Sequence, residues 1–502
     1  MSWAQNTTAH LDIHQDSISG AQQIIGATYN RLVRYRGDAQ LPEPDVAQSW
    51  EQAGTDVVFK LHEGVKWQNK PPVNGRDFKA SDVVFGLERA RSDDPSFIHS
   101  GDLAVVDTIE APDDSTVRLT TKYPTAIILT MLAGYQWIPV APEVIDQFGD
   151  IKSPEATIGT GPFIVENFAP DFGATLVRNP DYWREGLPYL DELEQLDVED
   201  HWSQFRAGNI DIVLVPAELL PGHDSFAGFL ESEGIDGYVY SEVMAASAHG
   251  HFMNTQDPVF ADIRVRWAVN LIMDRLPNRT YGWPIGAKPS IALGMGHLAF
   301  HLPDAEFEAM PGFGLGRRDQ DVAEGLQMLA AAGFDADNPM EWRIMGWSVP
   351  QTLVGIDQLQ IAVDMYKDVS GNVLQPSEQA LEWGAWKQAE ALHEFQMISS
   401  AYSMGVDAHD AMQKMYHSEG GRNFSGYANP DLDRMLAVEE STFDIEERIS
   451  LMQDMQRFVN SPEEIANAWT GSGPFSYAAL SRIQGIPMLW DSGRVDQVYV
   501  QK

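Results

Sequence analysis

The sequence predicts an α/β protein built as at least two lobes, and three observations predict it. Its 502 residues exceed the roughly 250–300 at which a single hydrophobic core stops growing. Hydrophobic residues are 44% of the chain and aromatics 10%, ample for sizeable cores and poor material for disorder. The second half alternates strand-like runs with helical stretches, the pattern of an α/β layer.

In the first third, Asp56–Leu61 (DVVFKL) reads as a strand on its β-branched and aromatic residues; Glu63-Gly64 turns the chain and Val65–Gln68 resumes the strand. Ala80-Ser81-Asp82 starts a helix with Val83, Val84, Leu87 and Ala90 on one face, and Ser81 or Asp82 can cap it. Thr116–Thr121 (TVRLTT) is a strand after the Pro112–Asp114 turn, and Asp211–Val215 (DIVLV) a buried one ended by Pro216. Further on, Asp262–Asp274 carries Val265, Ala268, Val269 and Ile272 on one helical face. The Gly/Pro-rich stretch from Pro277 to Gly316 reads as an irregular, lobe-spanning loop with a function of its own. Asp319–Ala332 is a helix stopped by Gly333. Then come Trp342–Met345 (strand), Leu359–Lys367 (helix), Leu374–Pro376 (strand), Ala380–Ala391 (helix), Phe395–Ser399 (strand) and Leu432–Ala437 (helix).

The longest apolar runs, such as Thr125–Ala133 (TAIILTMLA), fall far short of the roughly 20 residues a membrane-spanning helix needs. Cysteine is absent, which removes thiol catalysis, Cys-based zinc sites and disulfides together. That fits a cytosolic protein or a large exported one whose core needs no staple. The polar start, Met1 to Thr8, has no basic–apolar–small signal pattern and fits either a native cytosolic terminus or a chain cut at its mature end. Seventy-three acidic against 34 basic residues give a formal charge of −39. Such a field repels phosphate backbones, so no nucleic-acid partner is expected. The acids are scattered as on a strongly solvated surface, and the scarcity of lysine beside them fits a salt-adapted source.

Short motifs run the length of the chain. Pro44-Asp45-Val46-Ala47-Gln48-Ser49-Trp50 precedes Phe59–Trp67 (FKLHEGVKW), and Phe78–Phe85 (FKASDVVF) opens the first clear helix. Gly159-Thr160-Gly161-Pro162-Phe163, Asn179-Pro180-Asp181-Tyr182-Trp183 and Ala207-Gly208-Asn209-Ile210-Asp211 follow. Then come Phe260–Asn270 (FADIRVRWAVN) with Asp274-Arg275, Ala331–Phe334 (AAGF) and Gly426–Asp433 (GYANPDLD). Each motif alone is weak. In this order and spacing, the sequence resembles the bacterial extracellular solute-binding proteins of family 5, which serve dipeptide, oligopeptide, nickel and related ABC importers. Most of the motifs have structural jobs. Gly159, Gly161 and Pro162 suit a turn with unusual backbone angles, and Arg264, Arg266 and Asp274 suit internal ion pairs.

The resemblance implies a two-lobed periplasmic-binding-protein-like fold of the cluster C type with an extra subdomain. Lobe I would be residues 1–252 and 470–502, with the subdomain inserted at about 42–158; lobe II would be 253–469. It also implies a monomer that closes hinged lobes on a small polar solute and delivers it to ABC permease membrane subunits. The location would be periplasmic or tethered to the outer face of the cell membrane, with the signal segment absent from the sequence as it stands. No cofactor and no metal are expected.

Ligand contacts carry over by position. The Ser17-Ile18-Ser19 loop lies where relatives that bind peptides pair with the peptide backbone, so Ser17 and Ser19 are candidates, and Phe97 lies near where relatives place an aromatic. After the strand near residue 399, peptide-binding relatives carry an aspartate for the ligand's α-ammonium. Registering Asp407-Ala408-His409-Asp410 on their motif puts Met404 there, which argues against an ordinary free-amine peptide. Asp407 is the alternative acid. Among the tryptophans and tyrosines, Trp347 and Tyr402 border strand ends and are the aromatic candidates, while Trp383 matches a scaffold position of the family.

Other classes fare worse. His249-x-His251 and His297-x-x-x-His301 have usable metal spacings, but thirteen histidines produce such pairs by chance. His393-Glu394 lacks the second histidine of a zinc-protease helix, Gly471-Ser472-Gly473 is no nucleophile elbow, and no strand leads into Gly312-x-Gly314-x-Gly316. Carboxylate pairs at glycosidase spacing stay open with 73 acids. The reading is therefore a binder rather than an enzyme, for a peptide-like, oligosaccharide or other solute. A dipeptide- or oligopeptide-binding protein proper is the alternative, followed by nickel or metal-chelate binding.

Overall fold

A computed structural model describes all residues except 5–7, 17–18, 36–40, 95, 100, 102, 171, 199, 216–218, 221, 224, 243–246, 283–291, 350–354, 404–406, 474, 487–491 and 502. Two compact units emerge. Unit 1 comprises Met1–Leu219, Asp224–Met244 and Phe475–Lys502; unit 2 comprises Leu220–His223 and Ala245–Pro474.

Unit 1 is organised by a seven-stranded mixed sheet in the order Gly237–Glu242, Phe475–Leu480, Ile212–Leu214, Ser2–Ala4, Glu192–Leu196, Gly173–Arg178 and Phe163–Ala169. Its core joins Trp3, Phe163, Leu176, Leu193 and Ile212. A separate four-stranded antiparallel sheet orders Ala47–Ala53, Asp56–Leu61, Thr116–Thr121 and Val106–Asp113. In Asp56–Leu61 the alternate residues Val57, Phe59 and Leu61 are buried, the period-2 signature of a one-sided strand. The Ala80–Ala90 helix packs on this sheet.

Val65–Gln68 is not a strand. Only Lys66 bridges, to Asp77, through the bonds from Trp67 N to Arg76 O and from Phe78 N to Val65 O. Nor do Ser81 or Asp82 occupy the cap of the next helix. Lys79 does, and Asp82, three residues on, accepts from Lys79 N at 3.0 Å, Trp67 Nε1 at 2.9 Å and both Arg76 terminal nitrogens at 2.8 Å. Gly159 and Gly161 serve close approach rather than unusual angles: a Cβ would lie 2.1 Å from Thr28 O at Gly159 and 2.6 Å from it at Gly161.

Unit 2 holds a five-stranded sheet in the order Leu374–Leu381, Met340–Trp347, Met397–Ser403, Ser247–Met253 and Asn467–Gly471. The first three strands are parallel, joined by the helices Ile356–Val369 and Trp383–Ala391 as crossovers. Ser247–Met253 runs against both of its neighbours. Four strands therefore end, and Ser247–Met253 begins, at one and the same end of the sheet. The core contains Met253, Trp342, Ile344, Leu359 and Tyr366.

The stretch from Pro277 to Gly316 belongs to unit 2, and its described residues are largely helical rather than irregular. The Arg275–Gly282 helix runs into it, Asp304–Ala309 is helical, and Met295–Phe300 and Leu315–Arg317 form 3-10 turns. Pro277 sits in a first helical turn, where its missing N–H costs nothing, and Phe307 is buried. Ala380 and Leu381 belong to a strand, not to the helix after it. Arg264 pairs with Asp262, but Arg266 spends its guanidinium on the carbonyls of Ile465, Phe260 and Ala261. Among the described residues, no helix is long and apolar enough to cross a membrane.

Candidate functional site

In unit 2, parallel strands aim their C-terminal ends at one edge, where ligands of open α/β sheets bind. Trp347 is the last residue of Met340–Trp347, and its ring lies 5.0 Å from that of Trp383 at 61°. Trp383 starts the next crossover helix and is 51% exposed. Trp386, one turn on, is buried with its ring 5.2 Å from Trp383. Helical spacing puts residues 383, 386, 387 and 390 on one face. Lys387 extends over this wall, Nζ 5.8 Å from the Trp383 ring, 5.0 Å from Trp386 and 5.7 Å from Phe424. Its charge is met by the buried Glu390, which accepts from Ser400 Oγ at 3.4 Å. The wall is thus apolar in its faces, with a compensated cation beside it.

Tyr402 occupies the register position opposite Ala248 in the neighbouring strand; its side chain, and all of Met404, lie outside the described residues. Asp407 is 3% exposed. Its Oδ1 caps the Ala408–Tyr416 helix at His409 N (2.8 Å) and accepts from Arg448 Nη2 (2.9 Å). Arg448 Nε also donates to Glu439 (2.7 Å), and His409 Nδ1 lies 2.6 Å from the other Glu439 oxygen. Burial pushes the Asp407 carboxyl up, but the charges of Arg448 and His409 and the cap bond hold it below its ordinary value. Burial likewise lowers His409, and Glu439 outweighs it, so its pKa is raised. The quartet compensates the Asp407 charge within unit 2.

In unit 1, Arg89 forks onto Asp12 (3.0 and 2.5 Å), donates to His14 Nδ1 (2.7 Å) and offers its face to Phe97, 5.0 Å from the ring centroid. Burial and then the Arg89 charge lower His14 to about 3, so it stays neutral and carries its proton on Nε2. One guanidinium thus joins Phe97 to the segment that leads into residue 17. Ser17 lies outside the described residues; Ser19 opens the Ser19–Thr28 helix, and its side chain is not described.

Trp383 and Trp386 were not separable from core by composition, yet their three-residue spacing beside a strand end was a readable signal. Lys387 and Phe424 carried none. The histidine pairs are internal: His249 bonds Thr470 and Ser399, His251 bonds Tyr366, and His301 bonds the Gly294 carbonyl. Among the described residues, no three His, Asp or Glu side chains are grouped to hold a metal.

Residues 42–424 match the model of the bacterial extracellular solute-binding proteins, family 5 middle region. The probable deoxycholate-binding periplasmic protein YgiS of Escherichia coli K12 is 23% identical over 472 residues, 90% of this chain and 84% of that protein. The periplasmic oligopeptide-binding protein OppA of Salmonella typhimurium is 24% identical over 420 residues, 79% and 73% of the two chains. The fold is shared with HbpA2 of Haemophilus parasuis at a TM-score of 0.83, with 19% identity, over 100% of this chain and 99% of that one.

Proposed function

Because this chain belongs to the family 5 bacterial extracellular solute-binding proteins, and so is the substrate-binding subunit of an ABC importer, we propose that its solute is a ring-bearing organic molecule that needs no free α-ammonium. The observation that carries this is the Trp347–Trp383–Trp386 wall at the strand ends of unit 2. Indole faces favour flat or cyclic skeletons, each aromatic contact contributing about 0.5–1.5 kcal/mol beyond burial. Trp347, Tyr402 and Met404 are the proposed unit 2 contacts; Ser17, Ser19 and Phe97 are those of unit 1. Asp407, compensated by Arg448, is kept only as the residue that would serve a free-amine ligand.

Sugars, oligosaccharides, modified peptides and amphipathic ring systems fit this description, the last in keeping with the relative named for deoxycholate. A peptide-binding protein proper is the second reading, supported by the relatives named as oligopeptide-binding. Members of the family are periplasmic substrate-binding proteins. For this chain we further infer a monomer, free in the periplasm or tethered to the outer face of the membrane behind a signal segment, and no turnover of the solute.

The test is a thermal-shift screen of the purified chain against deoxycholate, oligosaccharides, trialanine and nickel chelates, since a native-state ligand raises Tm by mass action. A shift with ring compounds that is lost in Trp347→Ala supports the reading. A shift with trialanine that is lost in Asp407→Ala replaces it with the peptide reading.

A further inference from the structure

We propose that His249 is a positioning residue: its ring, held by Thr470 and Ser399, sets the conformation of the unit 2 sheet end at which Trp347 and Tyr402 lie. The structural half of this stands alone; its consequence for the solute rests on the reading above.

The hydrogen bonds dictate one tautomer. Thr470 Oγ1 donates its only proton to the His249 carbonyl at 2.9 Å. The 2.7 Å contact between the same oxygen and His249 Nδ1 therefore needs the proton on Nδ1. Nε2 is left as an acceptor, and Ser399 Oγ donates to it at 2.9 Å. The ring is 1% exposed, and burial lowers its pKa to about 3, so this neutral tautomer persists through the ordinary pH range.

The place matters as much as the bonds. His249 pairs with Gly471 and Gly250 with Trp469, and the register shifts between them. Thr470 is thus the extra residue of a β-bulge, the kind of irregularity that re-aims a strand. Where the backbone ladder is interrupted, the His249–Thr470 pair spans the gap. Its second partner, Ser399, lies on the strand that leads into Tyr402. The bulge also falls on the strand that opens unit 2 after Met244 and the strand that closes it before Phe475. A one-residue slip here would exchange the inward and outward faces of both strands. His249 therefore has a task that explains its burial without a metal.

Thr470→Val keeps the β-branched shape and removes the hydroxyl, and Thr470→Ser keeps the hydroxyl. In the unliganded chain, amide hydrogen exchange across 249–253, 397–403 and 467–471 is expected to rise about tenfold in Thr470→Val, the measure of one buried polar group left unpaired. Exchange across 374–381 should be unchanged, and Thr470→Ser should match the parent. Ser399→Ala, expected to act in the same direction on 397–403, serves if Thr470→Val does not fold. Equal exchange in the Val and Ser variants, or a uniform rise across unit 2, overturns the proposal. Affinity is then measured with deoxycholate and trialanine as probes, and weaker binding by Thr470→Val alone is expected for whichever the parent binds. If the parent binds a probe and both variants match it, His249 shapes the strand without positioning the site, which also overturns the proposal. If the parent binds neither, these two probes say nothing of the solute reading and exchange alone decides the role of His249.

Discussion

Replacing Arg448 with methionine would strip the guanidinium from between Asp407 and Glu439, both nearly inaccessible to water. Breaking a buried ion pair from one side costs about 3–5 kcal/mol, because the remaining charge stays desolvated and unpaired. At about 2–4 °C per kcal/mol for a unit of this size, Tm should fall by about 6–20 °C. The deficit should also depend on pH. In the parent, the pKa of Asp407 is depressed, so its contribution is present above its unfolded value near 3.8 and is lost as pH falls through the folded one. The pKa of His409 is raised, so its contribution is present below 6.5 and is lost as pH rises through the folded value. Without Arg448, burial governs Asp407 and lifts its pKa, so acid relieves the variant by neutralising the stranded carboxylate. Urea unfolding of parent and variant at pH 7 and pH 4.5 measures both effects, with the larger difference expected at pH 7. A difference below 1 kcal/mol by either measurement, or one independent of pH, would refute the claim that the quartet is a closed, self-compensating unit and would return Asp407 to the solute.

Three further outcomes are expected. Trp347→Ala should weaken the solute about three- to tenfold, the worth of one aromatic contact, while Tm of the unliganded chain stays put in a thermal melt. Gly159→Ala should lose stability by about 1–3 kcal/mol or more in urea, since its Cβ would press on the Thr28 carbonyl, which cannot move aside. With a charge of −39, stability should rise as KCl is added and self-repulsion is screened; flat melting curves across salt would count against a salt-adapted surface.

Local elements were legible where the local pattern is itself the cause of the structure. The alternation in Asp56–Leu61 and the single apolar face of Ala80–Ala90 recur as a one-sided strand and a packed helix. Gly333 ends the Arg318–Ala332 helix at a φ of +95°, a conformation only glycine adopts freely. Short helices such as Asp304–Ala309 escaped, because a helix that short is marginal alone and forms only when a residue like Phe307 finds a core. Val65–Gln68 failed for the converse reason: strand-like residues without a neighbouring strand to complete the ladder.

By itself the sequence determined the α/β class, the family, the absence of thiol chemistry and the acidic surface, since each depends on composition or on motifs contiguous along the chain. The tertiary structure alone decided which side chains meet. Trp347 reaches Trp383 because parallel pairing aligns two strand ends. Asp407 is answered by Arg448 and Glu439, and His249 by Ser399 and Thr470, because pairing and packing bring distant segments together. A charge or an imidazole carries no mark of its partner until the chain closes around it, so those assignments belong to the fold.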